Sequence, residues 1–248
     1  MAEPQDPTPS SSTDANAVAP STVTIRAPSK YVATPPREAE GEDDDSASAA
    51  AAAAPPLDWL HRTWTVTHST LGMWRSAQNV RITYSPLSPV RGGPGGQSTP
   101  RLGDLVEYES NRPGRKPAGV KTVEGVDTAS GPRAHAGAWD WRGRRWLRFV
   151  HSHWEVLGWG RRPLRREGAE GAGAEAEGEE EELWVVTWFA PTLFTKEGVD
   201  FYSSRREGLS EATAAEIRQA LEAGPKPLAD MVKADLRPVD IKLPWQQR

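Results

Sequence analysis

The sequence predicts a mainly β protein, with about eight antiparallel strands in a sandwich or barrel followed by one α-helix. Three observations support this fold class. Residues 63–69 alternate, with Trp64, Val66 and His68 on one face and threonines on the other, as a strand with one buried face requires. About eight such segments follow one another at short spacing, with turn residues between them. One amphipathic helical stretch follows Ser210.

The individual elements follow from local periodicity and from the Gly- and Pro-rich stretches that separate them. The strands are predicted at about 63–69, 79–84, 103–109, 119–127, 137–141, 145–158, 183–190 and 198–204. Ser210 is an N-cap candidate, and Glu211 lies in the positive first turn of the helix. The glycine and proline at 224–225 end that helix, and a further helical turn is expected near 228–232.

Composition divides the chain into a disordered tail over 1–56 and one folded unit over 57–248. The tail is rich in Pro, Ser, Ala and acidic residues and has almost no large apolar residue. It cannot bury enough surface to offset the entropy lost on ordering. The folded unit has these predicted parts: a barrel over 57–208, a C-terminal helix and tail over 209–248, and flexible loops at 86–101 and 161–182.

Composition also excludes several classes of function. The chain has no cysteine, so it has neither disulfides nor thiolate chemistry. Arginines interleave with Trp at 142–148, which suits single-stranded nucleic acid. Binding of nucleic acid is opposed by a run of Glu at 175–182 and by a net charge of −4, so no nucleic-acid partner is expected. No signal peptide and no apolar run of roughly 18 residues is visible, which predicts a cytoplasmic protein without membrane insertion.

Tryptophan is unusually frequent, with eleven Trp against four Tyr and four Phe. Ten aromatic residues fall in predicted strands: Trp64, Tyr84, Tyr108, Trp139, Trp141, Trp146, Trp154, Trp184, Trp188 and Phe201. They account equally well for a ligand cavity lined by rings and for a core filled by rings.

The order of these elements resembles the calycin superfamily, most closely the lipocalins. An ordered lead-in precedes Thr63-Trp64 at the start of the first strand, about eight strands follow in meander order, and Arg205 or Arg206 precedes the helix. The resemblance implies an eight-stranded up-and-down (lipocalin-like) β-barrel with the C-terminal α-helix on its wall. It also implies that Trp64 and Arg205 (or Arg206) form a structural pair at the closed end, through cation–π contact and hydrogen bonding.

The leading functional prediction is the non-catalytic binding of a small hydrophobic or amphipathic ligand, lipids included, inside the barrel. The connection 69–77 falls where a lipocalin has the loop over its open end, so it is either a lid or a plug. No resident cofactor is expected, and the oligomeric state is left open. The candidate ligand-binding residues are Trp64, His68, Trp74, Tyr84, Tyr108, Trp141, Arg148, Trp154, Trp188 and Phe201.

Two alternatives depend on histidine. His151 and His153 share one face of a strand, a spacing that suits two ligands of one metal. The same pair, or His68, is a candidate for acid–base catalysis on a bound molecule. The two alternatives are thus an enzyme of the same fold and a barrel that binds haem or a metal ion. If Trp154 points inward, His151 and His153 point outward and the metal reading weakens.

Overall fold

A computed structural model of the chain describes residues 23–32, 54–91, 98–111, 119–130, 137–164, 180–193 and 195–246. The strands among these residues are β1 (Thr63–Ser69), β2 (Ala77–Arg91), β3 (Ser98–Ser110), β4 (Lys121–Ala129), β5 (Ala138–Gly143), β6 (His151–Pro163), β7 (Glu181–Phe189), β8 (Gly198–Ser203) and β9 (Arg237–Pro238). The α-helices are α1 (Leu57–Leu60), α2 (Glu211–Glu222) and α3 (Lys226–Asp235). Short 3-10 helices include Ser29–Tyr31, Gly72–Ser76 and Arg145–Leu147.

Strands β1 to β8 form a closed antiparallel barrel. Each strand pairs with the next one along the chain, and β1 pairs with both β2 and β8. Trp64 lies opposite Ile82 of β2, and Val66 lies opposite Tyr202 of β8. Because every connection joins sequence neighbours, this is an up-and-down barrel. The predicted fold class is confirmed.

The barrel has two apolar cores, one on each face of its wall. The interior core contains Trp64, Val66 and Trp154 among others. The outer core lies between the wall and the two C-terminal helices, where Trp188 and Phe201 pack with helix residues such as Ile217 of α2. A strand covered on both faces carries apolar side chains on both, which explains why β7 is apolar at most positions from Leu183 to Phe189.

The N-terminal segment 23–32 lies within the predicted tail but packs on the outside of β6. The backbone N–H of Arg26 donates to the carbonyl of Leu157 at 2.8 Å, and Val23 joins the outer core. The prediction of a disordered tail over 1–56 is therefore wrong for these ten residues. The remainder of that tail up to residue 53 lies outside the described residues.

Several element boundaries also differ from the prediction. β2 continues to Arg91 and β3 begins at Ser98, so only 92–97 of the predicted loop 86–101 lies outside the described strands. The pairing of β2 with β3, for example of Val90 with Thr99, continues despite the prolines in this part of the two strands. The predicted loop 161–182 overlaps both β6 and β7, which pair down to Pro163 opposite Glu181. Its residues 165–179 lie outside the described part of the chain.

The C-terminal region covers the barrel wall. Ser210 caps α2, with its side-chain oxygen accepting the N–H of Thr213, as predicted. α3 runs over ten residues, more than the single turn expected. The chain then returns to the barrel, where β9 pairs with the end of β1 and the N–H of Asn79 donates to the carbonyl of Asp240. None of the described helices is long and apolar enough to cross a membrane.

Candidate ligand-binding cavity

The barrel encloses a cavity of about 420 Å³ that opens at one end. Among the described residues, three connections border its mouth: the 3-10 helix Gly72–Ser76, the stretch 144–150 between β5 and β6, and the stretch around Thr192 and Thr195 between β7 and β8. We call this the open end. Helix α1 lies at the opposite, closed end, where β1 begins. The cavity is thus a cup with one mouth.

The wall of the cup is mainly apolar, and aromatic rings are its largest group. The ring of Trp154 on β6 stacks on Tyr84 of β2, with ring centroids 5.6 Å apart, and on Trp139 of β5 at 5.8 Å. Phe189 of β7 adds a tilted contact with Trp154 at 6.5 Å. Other wall positions are held by Ile82, Val106, Val123, Trp141 and Tyr202. A lining of this kind suits the burial of a small apolar molecule.

Three aspartates lie among these rings inside the barrel. Asp104 of β3 and Asp200 of β8 line the cavity, and Asp127 of β4 is fully buried beside it. The indole N–H of Trp154 donates to one oxygen of Asp127 at 2.8 Å, and the hydroxyl of Ser69 donates to Asp200. One oxygen of Asp104 and one oxygen of Asp127 have no hydrogen-bond partner.

Burial shifts the ionisation of these acids. It raises the pKa of Asp104 to about 7, although the neighbouring indole of Trp141 acts in the opposite direction. It also holds the pKa of Asp127 well above its ordinary value, with a further increase from the charge of Asp104. The pKa of Asp200 is raised to about 7 by the same desolvation, against the hydrogen bond from Ser69. A low-dielectric interior disfavours the charged carboxylate in each case.

The mouth of the cup carries exposed apolar side chains. Trp146 is 74% exposed and Phe149 is 65% exposed, and both border the cavity with Met73. Trp74, in the same 3-10 helix as Met73, is buried and makes an edge contact with Tyr108 at 5.5 Å. The connection between β1 and β2 therefore forms part of the cavity wall at the mouth.

At the closed end, the partner of Trp64 differs from the predicted one. Trp64 is fully buried and donates its indole N–H to the carbonyl of Leu60 in α1. The guanidinium over its ring is that of Arg62, 5.4 Å from the ring centroid. Arg205 instead pairs with Glu180 and approaches Glu182, and it is the neighbouring Arg206 that lies over a ring, that of Trp245. The structure therefore does not bring Trp64 and Arg205 together.

Four of the predicted ligand-binding residues line the cavity: Trp74, Tyr84, Trp141 and Trp154. Tyr108 lies behind Trp74, and Trp64 lies in the closed-end core. Trp188 and Phe201 face the outer core under the helices. Arg148 is exposed in the connection that borders the mouth. The strand residues alternate between the two faces of the sheet, as predicted. The predicted inward face was wrong for Trp188 in β7 and for Phe201 in β8.

His68 lies outside the cup because β1 has an irregularity. The pairing register with β8 shifts between Val66 and His68, so the regular alternation stops there. The imidazole contacts Phe201 on the outer face, in a cleft beneath α2 that also includes Arg218. Burial, with a smaller effect of the Arg218 charge, lowers the pKa of His68 to about 4. The prediction that His68 shares a face with Trp64 is wrong.

The His151–His153 pair also faces outward, because Trp154 points inward. His153 Nδ1 lies 2.8 Å from Asp140 Oδ1, and its Nε2 lies 3.6 Å from the buried Glu155. The hydrogen bond to Glu155, with that to Asp140, raises the pKa of His153 despite its burial. Among the described residues, no group of three or more His, Cys, Asp and Glu is arranged to hold a metal ion.

The residues that sequence reasoning missed are the interior acids and Tyr202. Each follows the period-two pattern: Asp104 shares a face with Leu102 and Val106, and Asp200 shares a face with Tyr202. A lone acid on an otherwise apolar strand face was the available signal. Such an acid is rarely buried without a partner, so its presence there points to a polar spot in the interior.

A closed eight-stranded up-and-down barrel with a one-ended cavity and helices on its wall is a lipocalin-like fold. No protein-family model matches the sequence, and no curated protein is similar to it. Among solved structures, apocrustacyanin C2 is similar at 7% identity and a TM-score of 0.45, over 81% of this chain and 88% of that one. Lobster apocrustacyanin A1 gives 8% and 0.42, over 90% and 93%. The siderocalin Ex-FABP gives 12% and 0.40, over 74% and 95%.

Proposed function

We propose that this protein binds a small hydrophobic or amphipathic molecule inside the barrel. The observation that carries the proposal is the cavity of about 420 Å³, which lies within the barrel and has a largely apolar wall. That volume lies within the range of small-molecule sites, roughly 300–1,000 Å³. The exposed rings of Trp146 and Phe149 at the mouth give an apolar ligand a first contact with the protein.

The first test is native mass spectrometry and an absorption spectrum of the protein purified from its own cells. A bound small molecule would support the proposal and identify the ligand. The spectrum also tests the haem alternative, because bound haem gives a Soret band. The alternative of an enzyme with histidine acid–base chemistry has no support from the cavity geometry, because His68, His151 and His153 lie outside the cup. The cytoplasmic location stays a prediction.

A cavity-filling substitution tests whether binding occurs in the cup. Val106 lines the cavity, so Val106→Trp is expected to lower the affinity for a fluorescent hydrophobic probe at least about tenfold, since the new ring occupies ligand space. The matched control is Val90→Trp, which adds the same ring at an exposed position of β2. Circular dichroism establishes that both variants are folded. Equal probe affinity in the two folded variants would place the binding site elsewhere.

A further inference from the structure

The charge of the cavity lining is entirely acidic. Asp104 and Asp200 line it, and the described residues that line it include no Lys, Arg or His. The cation whose charge acts on Asp200 is Arg75, which is exposed and donates to the backbone carbonyls of Ser69 and Asp235. An anionic ligand such as a fatty acid would therefore find carboxyl groups and no basic partner among the described residues that line the cup.

The interior acids also keep unused hydrogen-bond acceptors. The Oδ1 atom of Asp104 and the Oδ2 atom of Asp127 are buried without a hydrogen-bond partner. Asp127 and Tyr202 are both fully buried, and Tyr202 lines the cavity. Buried polar atoms are rarely left unpaired, because the lost hydration costs about 1–3 kcal/mol each. Two unpaired carboxylate oxygens in the barrel interior favour a ligand that supplies donors.

These groups lie close enough to act on one another. Asp104 is opposite Gly125, two residues from Asp127 on the neighbouring strand, so the two acids are diagonal neighbours on one face. The phenol of Tyr202 has a raised pKa, first because it is buried and then because of the charges of Asp200 and Asp104. The charges of two acids, one on β3 and one on β8, therefore both act on this hydroxyl.

We propose that the natural ligand is an amphipathic organic amine, whose ammonium group binds between Asp104 and Asp200 and whose apolar body lies against Trp141, Trp154 and Tyr84. An ammonium has donors and no acceptor, which complements the oxygens of a carboxylate. The aromatic wall adds cation–π attraction for the same charge. This inference rests on the proposed function, because it names the ligand class of the same cup.

The test compares three ligands of one shape: naphthylmethylamine, naphthylmethanol and naphthoate, measured by titration calorimetry on the full chain at pH 7.5. The amine is expected to bind about tenfold to a hundredfold more tightly than the alcohol, as charge-assisted hydrogen bonds imply, and naphthoate is expected to bind most weakly. Equal affinities for amine and alcohol, or tightest binding of naphthoate, would overturn the inference.

Two isosteric variants locate the charge contact. Asp104→Asn and Asp200→Asn are each expected to reduce amine affinity about tenfold or more while leaving alcohol affinity within a factor of two to three. The control, Asp140→Asn, removes an exposed acid on the outer face of β5 and is expected to change neither. Unchanged amine affinity in both folded cavity variants would overturn the inference.

Proton release is an independent readout that needs no variant. Both cavity acids are largely protonated below neutral pH, and Asp127, Tyr84, Tyr202 and Arg75 are the titratable groups that act on them. An ammonium favours the ionised acid, so amine binding is expected to release a proton and to tighten from pH 6 to pH 8. Calorimetry in buffers of different ionisation enthalpy measures this, and alcohol binding serves as the reference.

The outcomes separate the inference from the function on which it rests. If the alcohol binds in the cup and the amine shows no preference, the cup binds ligands and only the amine inference fails. If none of the three ligands binds and the Val106→Trp variant leaves hydrophobic-probe binding unchanged, the cup is not the binding site and both proposals fail.

Discussion

At the scale of single residues, the acids inside the barrel favour ligand contact but lower the stability of the folded protein when they ionise. Asp200 is almost fully buried, and burial raises its pKa to about 7 from an ordinary value near 3.8. A carboxyl whose folded pKa is raised binds its proton more tightly in the folded state. The free energy of unfolding therefore falls as pH rises from about 4 to about 7. A site built for ligand contact commonly carries such a cost.

Removing this acid is expected to stabilise the free protein at high pH. Asp200→Asn keeps an acceptor for the Ser69 hydroxyl but has no charge to desolvate. We expect the variant to exceed the wild type in free energy of unfolding by roughly 1–4 kcal/mol at pH 8, with the difference disappearing toward pH 4. Urea denaturation at several pH values measures this. A difference independent of pH would show that ionisation of Asp200 is not its cause.

Gly125 is a second residue on which the cavity depends. It lies on β4 beside Trp141, whose indole passes over the glycine, and an added Cβ would lie 2.0 Å from the indole nitrogen. Trp141 can form part of the cavity wall only because position 125 has no side chain.

Gly125→Ala is therefore expected to displace the Trp141 ring. The overpacking should cost about 1–3 kcal/mol in stability and weaken ligand binding in the cup. Gly119→Ala is the matched control, because nothing lies within 4 Å of an added Cβ there. Thermal melts and probe titrations of both variants provide the comparison. Comparable probe affinity in the two would mean that Trp141 does not contribute to binding.

At the scale of elements, one carboxylate makes several of the contacts that hold the N-terminal segment 23–32 to the barrel. Glu155 on the outer face of β6 accepts a hydrogen bond from Arg26 at 2.6 Å and others from the backbone and hydroxyl of Ser29. Burial alone would raise the pKa of Glu155, but hydrogen bonds from His153 and Ser29 and the charge of Arg26 lower it to about 2. The segment is thus attached through an ionised group.

Glu155→Gln should loosen this segment without opening the barrel. A carboxyl with a lowered folded pKa stabilises the fold above its ordinary pKa, near 4.5, and loses that effect as pH falls toward 2. We expect the variant to lose about 1–3 kcal/mol at pH 7 and progressively less below pH 4. Hydrogen exchange at the amides of 24–31 measures the attachment. Unchanged exchange in the variant would show that other contacts hold the segment.

At the scale of the whole molecule, the C-terminal segment completes the barrel where β1 and β2 separate. The side chain of Asn79 exchanges two hydrogen bonds with the backbone of Lys242, at 2.8 and 2.6 Å. The guanidinium of Arg81 lies 5.0 Å from the ring centroid of Trp245, and Glu109 accepts the N–H of Gln246. Residues far apart in sequence thus share one network beside the sheet.

Deletion of residues 240–248 is expected to lower the melting temperature by several degrees, because it leaves the buried Asn79 and Arg81 without these partners. Trp245→Phe serves as the control: it keeps a ring for Arg81 and should cost less than about 1 kcal/mol. Calorimetric melts compare the three proteins. A deletion no more destabilising than the single substitution would show that the backbone contacts contribute little.

The sequence by itself determined the eight strands of the barrel, their meander order and the helix that follows Ser210. Alternation, turn residues and the Ser210 cap are local signals. It also indicated an aromatic interior through Trp141 and Trp154. Only the tertiary structure decided which face of each strand points inward. β7 and β8 are apolar on both faces, so periodicity alone could not assign Trp188 and Phe201 to the helix side.

Three further features are fixed only when the barrel closes. The register shift that turns His68 outward depends on pairing between β1 and β8, which the sequence of β1 does not encode. The attachment of Arg26 to Glu155 joins residues 129 positions apart. Asp104 and Asp200 line the same cavity although they come from β3 and β8, which are far apart in the sequence. Each depends on long-range geometry, whereas sequence patterns report only the neighbours along one strand or helix.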